Sequence, residues 1–482
     1  MVKDTLVGYN YTRYQGDLVR TDRQHPHVIR REHATTYIDQ FAFKQVELVA
    51  QLIPEQILTG WSRSYYLPEK HLEAVLQFGQ PNIPVSAINV DVYRQSIAEA
   101  ENRLSGLPTV RAYDVLTQLD QVPFKSSSAA GYDYQGRKGQ YDGENHKRAI
   151  TRAKAVLWSA IADDGEGIEH VISTFVPDVG YTRTQLTDLL EKTKVRQVWG
   201  RCFHYILLEG LVASPFINEL MKHDTFIHAG KDPIFSVPEL LSNVARNCRW
   251  LYALDWKQFD ATVSRFEINT AFDIIKRKII FPNYETEQAF EITRQLFIHK
   301  KVAAPDGYIY WSHKGIPSGS YYTSVVGSIV NFLRIDYLWR TLTGHPPKEL
   351  HTLGDDSLSG DDILIEPQRI AEEAEKIGWH FNPEKTEYSR IPEHVTFLGR
   401  TYIGGLNKRD LTKCLRLLVY PEYPVDSGRI SAYRANSIAQ DAGGLSDVIN
   451  RVANKLQRTY GIASEEEVPS HFKRYVIENI GI

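Results

Sequence analysis

HTLGDDSLSGDDILIE, residues His351–Glu366, holds the tripeptide Gly-Asp-Asp twice within nine residues. Leu350–Leu353 reads as a short, partly apolar strand, Gly354 permits a tight reversal, and a second short strand follows. A turn at a sheet edge projects Asp355 and Asp356 into a cleft, where divalent cations relieve the repulsion between carboxylates. Asp361 and Asp362 then fall at the far end of the second strand. The same residues partly fit a calcium loop, with Asp355 in first place, Gly360 sixth and Glu366 twelfth. Against that, Ser357 and Ser359 occupy two ligand places, Asp362 stands where an apolar residue belongs, and the stretch after Pro347 is too short for an entering helix.

Working outward, RWLYALD (Arg249–Asp255) is an apolar run ending in Asp and reads as another strand. ATVSRFEINTAFDIIKRKII and SYYTSVVGSIVNFLRIDYLWRTL read as helices, the second stopped at Gly344. PQRIAEEAEKIG is amphipathic, with Pro367 at its start and Gly378 at its end. VTFLGRTYIG reads as a hairpin. This mixture predicts an α+β sheet with helices on one face. Upstream, residues 126–145 form a Gly-, Ser- and Tyr-rich loop, followed by a helix with a basic face of Lys147, Arg148, Arg152 and Lys154. The tail from Leu406 is mainly helical and carries Lys408, Arg409, Lys413, Arg416, Arg429 and Arg434.

The 482 residues are enough for about three domain-sized units. Hydrophobic residues at 42% and charged residues at 24% suit a globular chain with a substantial core. Cys202, Cys248 and Cys414 lie far apart, which fits a reducing compartment and neither a disulfide framework nor a zinc site. No apolar run spans a bilayer and no signal pattern opens the chain, so an intracellular protein without a membrane partner is expected. A net charge of −3 does not advertise nucleic-acid binding, yet a locally positive channel is compatible with it.

A two-metal phosphoryl-transfer site needs carboxylates from more than one segment. ALDWKQFDATV supplies Asp255 at a strand end and Asp260 five residues on; the bland role for either is a helix cap. GIPSGSYYTSVVGSIVN supplies a loop of Gly315, Pro317 and Gly319 with the hydroxyls of Ser318 and Thr323 at the mouth of the long helix. KTKVRQVWGR sets Lys192, Lys194 and Arg196 on one face of an extended segment.

In that order, Asp-(four residues)-Asp, Ser-Gly-(three residues)-Thr and Gly-Asp-Asp resemble the palm of viral RNA-dependent RNA polymerases. LDWKQFDATV, GIPSGSYYT, LGDDSL and FLGRTYIGG are similar to the partitivirus family, and the chain's size to its deltapartitiviruses. The resemblance implies a right-handed fold of fingers, palm and thumb, with an antiparallel palm sheet backed by helices. It divides the chain into a bridging N-terminal region at 1–105, fingers at 106–248 and 275–311, palm at 249–274 and 312–404, and thumb at 405–482. It implies template-directed nucleotidyl transfer that replicates and transcribes a double-stranded RNA genome, in the virion interior and host cytoplasm. The implied partners are template and product RNA, ribonucleoside triphosphates and viral coat protein.

By the same resemblance, Asp255, Asp355 and Asp356 hold two Mg²⁺ ions, with Mn²⁺ as a substitute. Asp260 senses the ribose 2′-hydroxyl, which an Asp can accept and deoxyribose cannot donate. Ser318, Gly319 and Thr323 belong to the nucleotide site, the two hydroxyls as partners of Asp260. Lys194 and Arg196 lie over the triphosphate, and Lys385 is the general acid for pyrophosphate. Arg201, Arg400 and Ser127 contact RNA. One departure stands out: where positive-strand relatives carry Asn four residues after the Thr, this chain has Gly327, with Asn331 one turn further on. The alternatives are a reverse transcriptase, which Asp260 and the Ser-Gly-(three)-Thr pattern oppose, and a non-catalytic RNA-binding or capsid protein.

Overall fold

The computed structural model describes residues 17–25, 36–53, 55–162, 166–191 and 195–473. Its centre is a four-stranded sheet in the order Glu349–Leu353, Asp356–Asp361, Trp250–Ala253, Glu387–Ser389, antiparallel throughout. The first two strands form a hairpin in which Leu353 faces Asp356, leaving Gly354 and Asp355 as a two-residue turn. Gly354 takes φ +60°, as a II′ hairpin asks of its first central residue. The calcium-loop alternative is thereby excluded: these residues are a paired strand, not a loop between helices. The second strand ends at Asp361, so Ile363–Glu366 do not continue it.

The strands bury residues on both faces, which corrects the expectation of helices on one face. Tyr252 and Leu350 join a large core with the long helix Thr323–Thr343, the helix Arg265–Lys276 and the helix Pro367–Ile377. Leu251 and Leu358 point the other way, into a smaller core with Val237, Leu241 and Val244 of the helix Pro233–Asn247. That helix lies so close that a Cβ on Gly360 would meet Val244 Cγ1 at 2.7 Å.

The long helix ends where Gly344 adopts φ +82°, and Pro367–Ile377 ends at Gly378 with φ +100°. The expected continuous helix after Ala261 is instead two: Phe259–Thr262 and Arg265–Lys276. Ser264 starts the second, its hydroxyl and backbone reciprocally capped with Glu267. The hairpin is displaced relative to VTFLGRTYIG: the paired strands are Thr401–Ile403 and Leu406–Lys408, preceded by a tight turn in which Phe397 and Arg400 bridge.

A second sheet runs Leu18–Arg23, Tyr308–Ser312, Lys300–Ala303, Asp178–Arg183, Arg196–Gly200. The C-terminal helices Leu411–Val419, Gly428–Asp441 and Asp447–Tyr460 share a separate core with the helix Gln40–Ala50. The N-terminal part therefore joins two units, as a strand of the second sheet and as a helix of the C-terminal bundle. Among the described residues no helix is long and apolar enough to cross a membrane.

Candidate functional site

Tyr252 pairs with Ser359. Asp255 follows two residues after the end of Trp250–Ala253, and Asp356 opens the strand that Trp250–Ala253 pairs with, next to Asp355 in the turn. Asp255 does not cap a helix. Its backbone N–H donates to Thr386 Oγ1 (3.1 Å) and its carbonyl accepts from Asn382 N–H (2.8 Å), which fastens it to the segment bearing Lys385.

The carboxylates feel one another. Desolvation by the surrounding protein raises the Asp356 carboxyl to about 7, with Asp355 and then Asp255 adding to it, although Asp356 is open to solvent. Asp255 is raised by desolvation first and by Asp355; Lys385, Asn382 and Lys257 oppose the shift. Asp260, likewise open, is pushed up to about 7 by desolvation and by Asp355, with Arg196 opposing. Asp255, Asp260, Asp355, Asp356, Arg196 and Lys385 thus occupy one electrostatic neighbourhood.

Among the described residues, no three acidic, imidazole or thiol side chains are gathered closely enough to hold a metal ion. The donor chemistry nevertheless fits one. Carboxylate oxygens are the ligands a hard divalent cation takes, and like charges crowded at a sheet edge gain most from a cation between them.

The loop before the long helix is tied to the Asp260 segment by backbone: Ile316 N–H donates to the Asp260 carbonyl (2.8 Å) and Gly315 N–H to that of Val263 (2.8 Å). Gly319 has φ +89°, and a Cβ there would stand 2.4 Å from Trp199 O, so the loop must approach the second sheet with no side chain at this point. Ser318 Oγ accepts from Trp199 N–H (3.2 Å) and donates to Gln197 O (3.3 Å). Thr323 Oγ1 donates to Pro317 O (2.6 Å) and Ser320 O (3.0 Å). Among the described residues neither hydroxyl is bonded to Asp260, so the expected partnership is corrected: both hydroxyls fix the loop itself.

Two arginines are also corrected. Arg201 is buried, paired with Asp178 (3.0 Å), bonded to Leu296 O (2.9 Å) and stacked on Tyr205, so it is an interior brace and not an RNA contact. Arg400 is buried beside Asp441 (3.0 Å), where it ties its turn to the helix Gly428–Asp441, and does not face a nucleic-acid backbone. Ser127 lies in an exposed turn, and Arg196 and Lys385 are exposed. Lys194 lies outside the described residues.

The sequence assigns no role in or around the site to several further residues. Lys257 acts electrostatically on Asp255, and Lys413 of the C-terminal bundle on Asp356. Glu209, buried in the helix Phe203–Leu220, accepts from Ser320 Oγ (2.6 Å) and Tyr321 N–H (2.6 Å); burial raises its carboxyl to about 7. The available signal is a carboxylate in the middle of the apolar stretch Tyr205–Ala213.

The architecture is that of a right-handed polymerase. It matches the crystal structure of the RNA-dependent RNA polymerase of a human picorbirnavirus with a TM-score of 0.65 at 16% identity, covering 89% of this chain and 86% of that one. The pattern of the viral RNA-dependent RNA polymerase family matches residues 37–457, and the chain belongs to that family. It is 21% identical over 325 residues to the RNA-directed RNA polymerase of Atkinsonella hypoxylon virus, covering 56% of this chain and 48% of that protein. It is 27% identical over 252 residues to the RNA-directed RNA polymerase of Cryptosporidium parvum virus 1, covering 46% of this chain and 48% of that protein. The aligned parts span about half the length of these relatives.

Proposed function

We propose that the chain copies RNA by template-directed transfer of ribonucleotides, and that the cleft at Asp255, Asp355 and Asp356 is its active site. The observation that carries this is the pairing of Trp250–Ala253 with Asp356–Asp361, which brings acidic residues a hundred positions apart to one end of the sheet. Two divalent cations there, Mg²⁺ or Mn²⁺, would activate the primer 3′-hydroxyl and neutralise the departing pyrophosphate. The three aspartates would hold them. Asp260, open and not bonded to Ser318 or Thr323, keeps its oxygens available to a ribose hydroxyl. Arg196 beside it supplies positive charge for a triphosphate, and Lys385, next to Asp255, a proton for pyrophosphate. Lys194 takes the same triphosphate role by resemblance, and exposed Ser127 lines the template path.

The second sheet and the helices at 106–248 and 275–311 are assigned to fingers, the central sheet at 249–274 and 312–404 to palm, and 405–482 to thumb, with 1–105 bridging. The finer assignment is a partitivirus polymerase, deltapartitivirus-like, serving a double-stranded RNA genome beside coat protein in virion and cytoplasm. It rests on the wording of LDWKQFDATV, GIPSGSYYT, LGDDSL and FLGRTYIGG. The test is purified chain with single-stranded RNA, four ribonucleotides and Mg²⁺. A labelled RNA product is expected. A product from deoxynucleotides only would mean a reverse transcriptase, and RNA binding without any product a non-catalytic protein.

A pH dependence follows from the raised carboxyls. Between about pH 4 and about pH 7, folded Asp356 retains a proton that the unfolded chain has released, so stability falls as pH rises through that window. A cation relieves the repulsion but must displace that proton. Millimolar Mg²⁺ is therefore expected to raise the melting temperature more at about pH 8 than at about pH 6. An equal or larger rise at the lower pH, measured by thermal denaturation, contradicts the assignment.

A further inference from the structure

Asn331 is fully buried in the long helix Thr323–Thr343, and its amide bonds to two different segments. Oδ1 accepts from Trp256 Nε1 (2.8 Å), while Nδ2 donates to Gly354 O (3.1 Å) and Asp356 O (3.2 Å). The amide's orientation is dictated by its partners, since an indole N–H only donates and a carbonyl only accepts. One turn earlier, Ser328 Oγ accepts from Gly354 N–H (2.8 Å) and donates to Ser324 O (2.6 Å), and Ser328 O accepts from Thr352 Oγ1 (2.9 Å). A Cβ on Gly327 would lie 3.5 Å from Gly354 Cα, so the helix face of 327, 328 and 331 runs directly against the turn.

A buried Asn must satisfy its polar atoms somewhere, and that alone would be ordinary core structure. What sets this one apart is where its bonds go. They end on the carbonyls of the two residues flanking Asp355 and on the side chain of the residue following Asp255. A single amide therefore bridges the two segments that carry all three carboxylates. Trp256 is itself buried and Asn331 cannot shift without moving both segments.

We propose that Asn331, with Ser328 behind it, is a positioning residue that sets the separation of Asp255 from Asp355 and Asp356, and thereby the affinity of the cleft for divalent cations. The proposal rests on the polymerase reading for its consequence in catalysis. Its direct readout, cation binding, does not. Asn331 touches neither substrate nor metal in this account; it acts through the carboxylates. Partners that orient metal-ligating side chains are worth about 10- to 100-fold in metal affinity, which sets the scale for a residue that fixes the backbone carrying them.

The experiment uses the full chain with Mn²⁺ as the probe, titrated by calorimetry and by electron paramagnetic resonance without nucleotide. Thermal melting and the Mg²⁺ concentration for half-maximal incorporation are measured in parallel. Asn331→Leu, branched at the same atom and without hydrogen bonds, is expected to weaken Mn²⁺ binding about 10- to 100-fold and to raise the Mg²⁺ requirement in step. The KM for nucleotide at saturating Mg²⁺ should change little. Trp256→Phe keeps an aromatic ring but removes the indole donor, and is expected to weaken binding several-fold; it carries the test if the leucine variant does not fold. Lowered melting temperature with Mn²⁺ affinity within twofold of the parent chain, in either folded variant, overturns the proposal. A parent chain that binds Mn²⁺ but incorporates no nucleotide overturns the polymerase reading instead, while the binding titrations still decide the role of Asn331.

Discussion

Asp355→Asn is expected to lower nucleotide incorporation on the order of 10³-fold or more, whereas Asp362→Asn should leave it within about twofold. The two Gly-Asp-Asp tripeptides read alike, but the fold separates them by the length of one strand, roughly 17 Å at the usual rise per residue. Asp355 sits in the open turn, where it raises the carboxyls of Asp255, Asp260 and Asp356. Asparagine there keeps the volume and removes the charge that a cation would answer. Asp361, by contrast, is buried and accepts from Trp339 Nε1 (3.0 Å) and from the backbone N–H of Asp362 (2.7 Å). Asp362 is paired with Lys348 at the surface and accepts from Arg249 N–H (3.2 Å). Both ends of that strand are therefore spoken for, one by solvent-facing chemistry and one by structure. Incorporation assays, beside melting curves and RNA-binding controls for each variant, check this. Equal losses in the two variants would remove the basis for placing the active site at the turn.

The hairpin was legible because its determinants are local. A glycine able to adopt positive φ sits between two short partly apolar runs, and Gly344 and Gly378 stop helices whose spacing is plain in the sequence. The break at Ser264 was legible in principle too, since Ser-x-x-Glu announces a helix start. Arg201 and Arg400 were not. Their partners, Asp178 and Asp441, are 23 and 41 residues away, and no local pattern distinguishes an arginine bound for the interior from one facing a nucleic acid. The same holds for Ser318 and Thr323. Their spacing marks the loop, but only the folded backbone shows that Gln197, Trp199, Pro317 and Ser320 take up both hydroxyls. The helix Pro233–Asn247 escaped as cover for the sheet's second face because a short apolar run such as Trp250–Ala253 does not say whether one face is covered or both, or by what.

The largest stability effect is expected from Glu267→Ala, at about 3–5 kcal/mol. Glu267 and Arg334 are both fully buried and meet in a fork, Nε to Oε1 at 2.6 Å and Nη2 to Oε2 at 3.0 Å. Glu267 Oε2 also accepts from the backbone N–H and hydroxyl of Ser264, each at 2.8 Å, and so closes the first turn of its own helix. The Arg334 guanidinium lies over the rings of Trp256, Phe259 and Trp379, at 5.3, 5.0 and 5.2 Å. Removing the carboxylate leaves a cation without its counter-charge in the core and strips the helix start of its acceptor. Desolvation, more than the lost attraction, dominates that cost, because an unpaired charge cannot recover its hydration indoors. Replacing both partners together, Glu267→Leu with Arg334→Met, should therefore recover more than half of the loss. The effect reaches the cleft, since Trp256 and Phe259 are the immediate neighbours of Asp255 and Asp260, and the arginine that packs on those rings also fixes the segment between them. Urea denaturation of the single and double variants measures this coupling. A single-variant cost below about 1 kcal/mol, or a double variant less stable than the two losses added, would show that the pair is not what holds this segment in place.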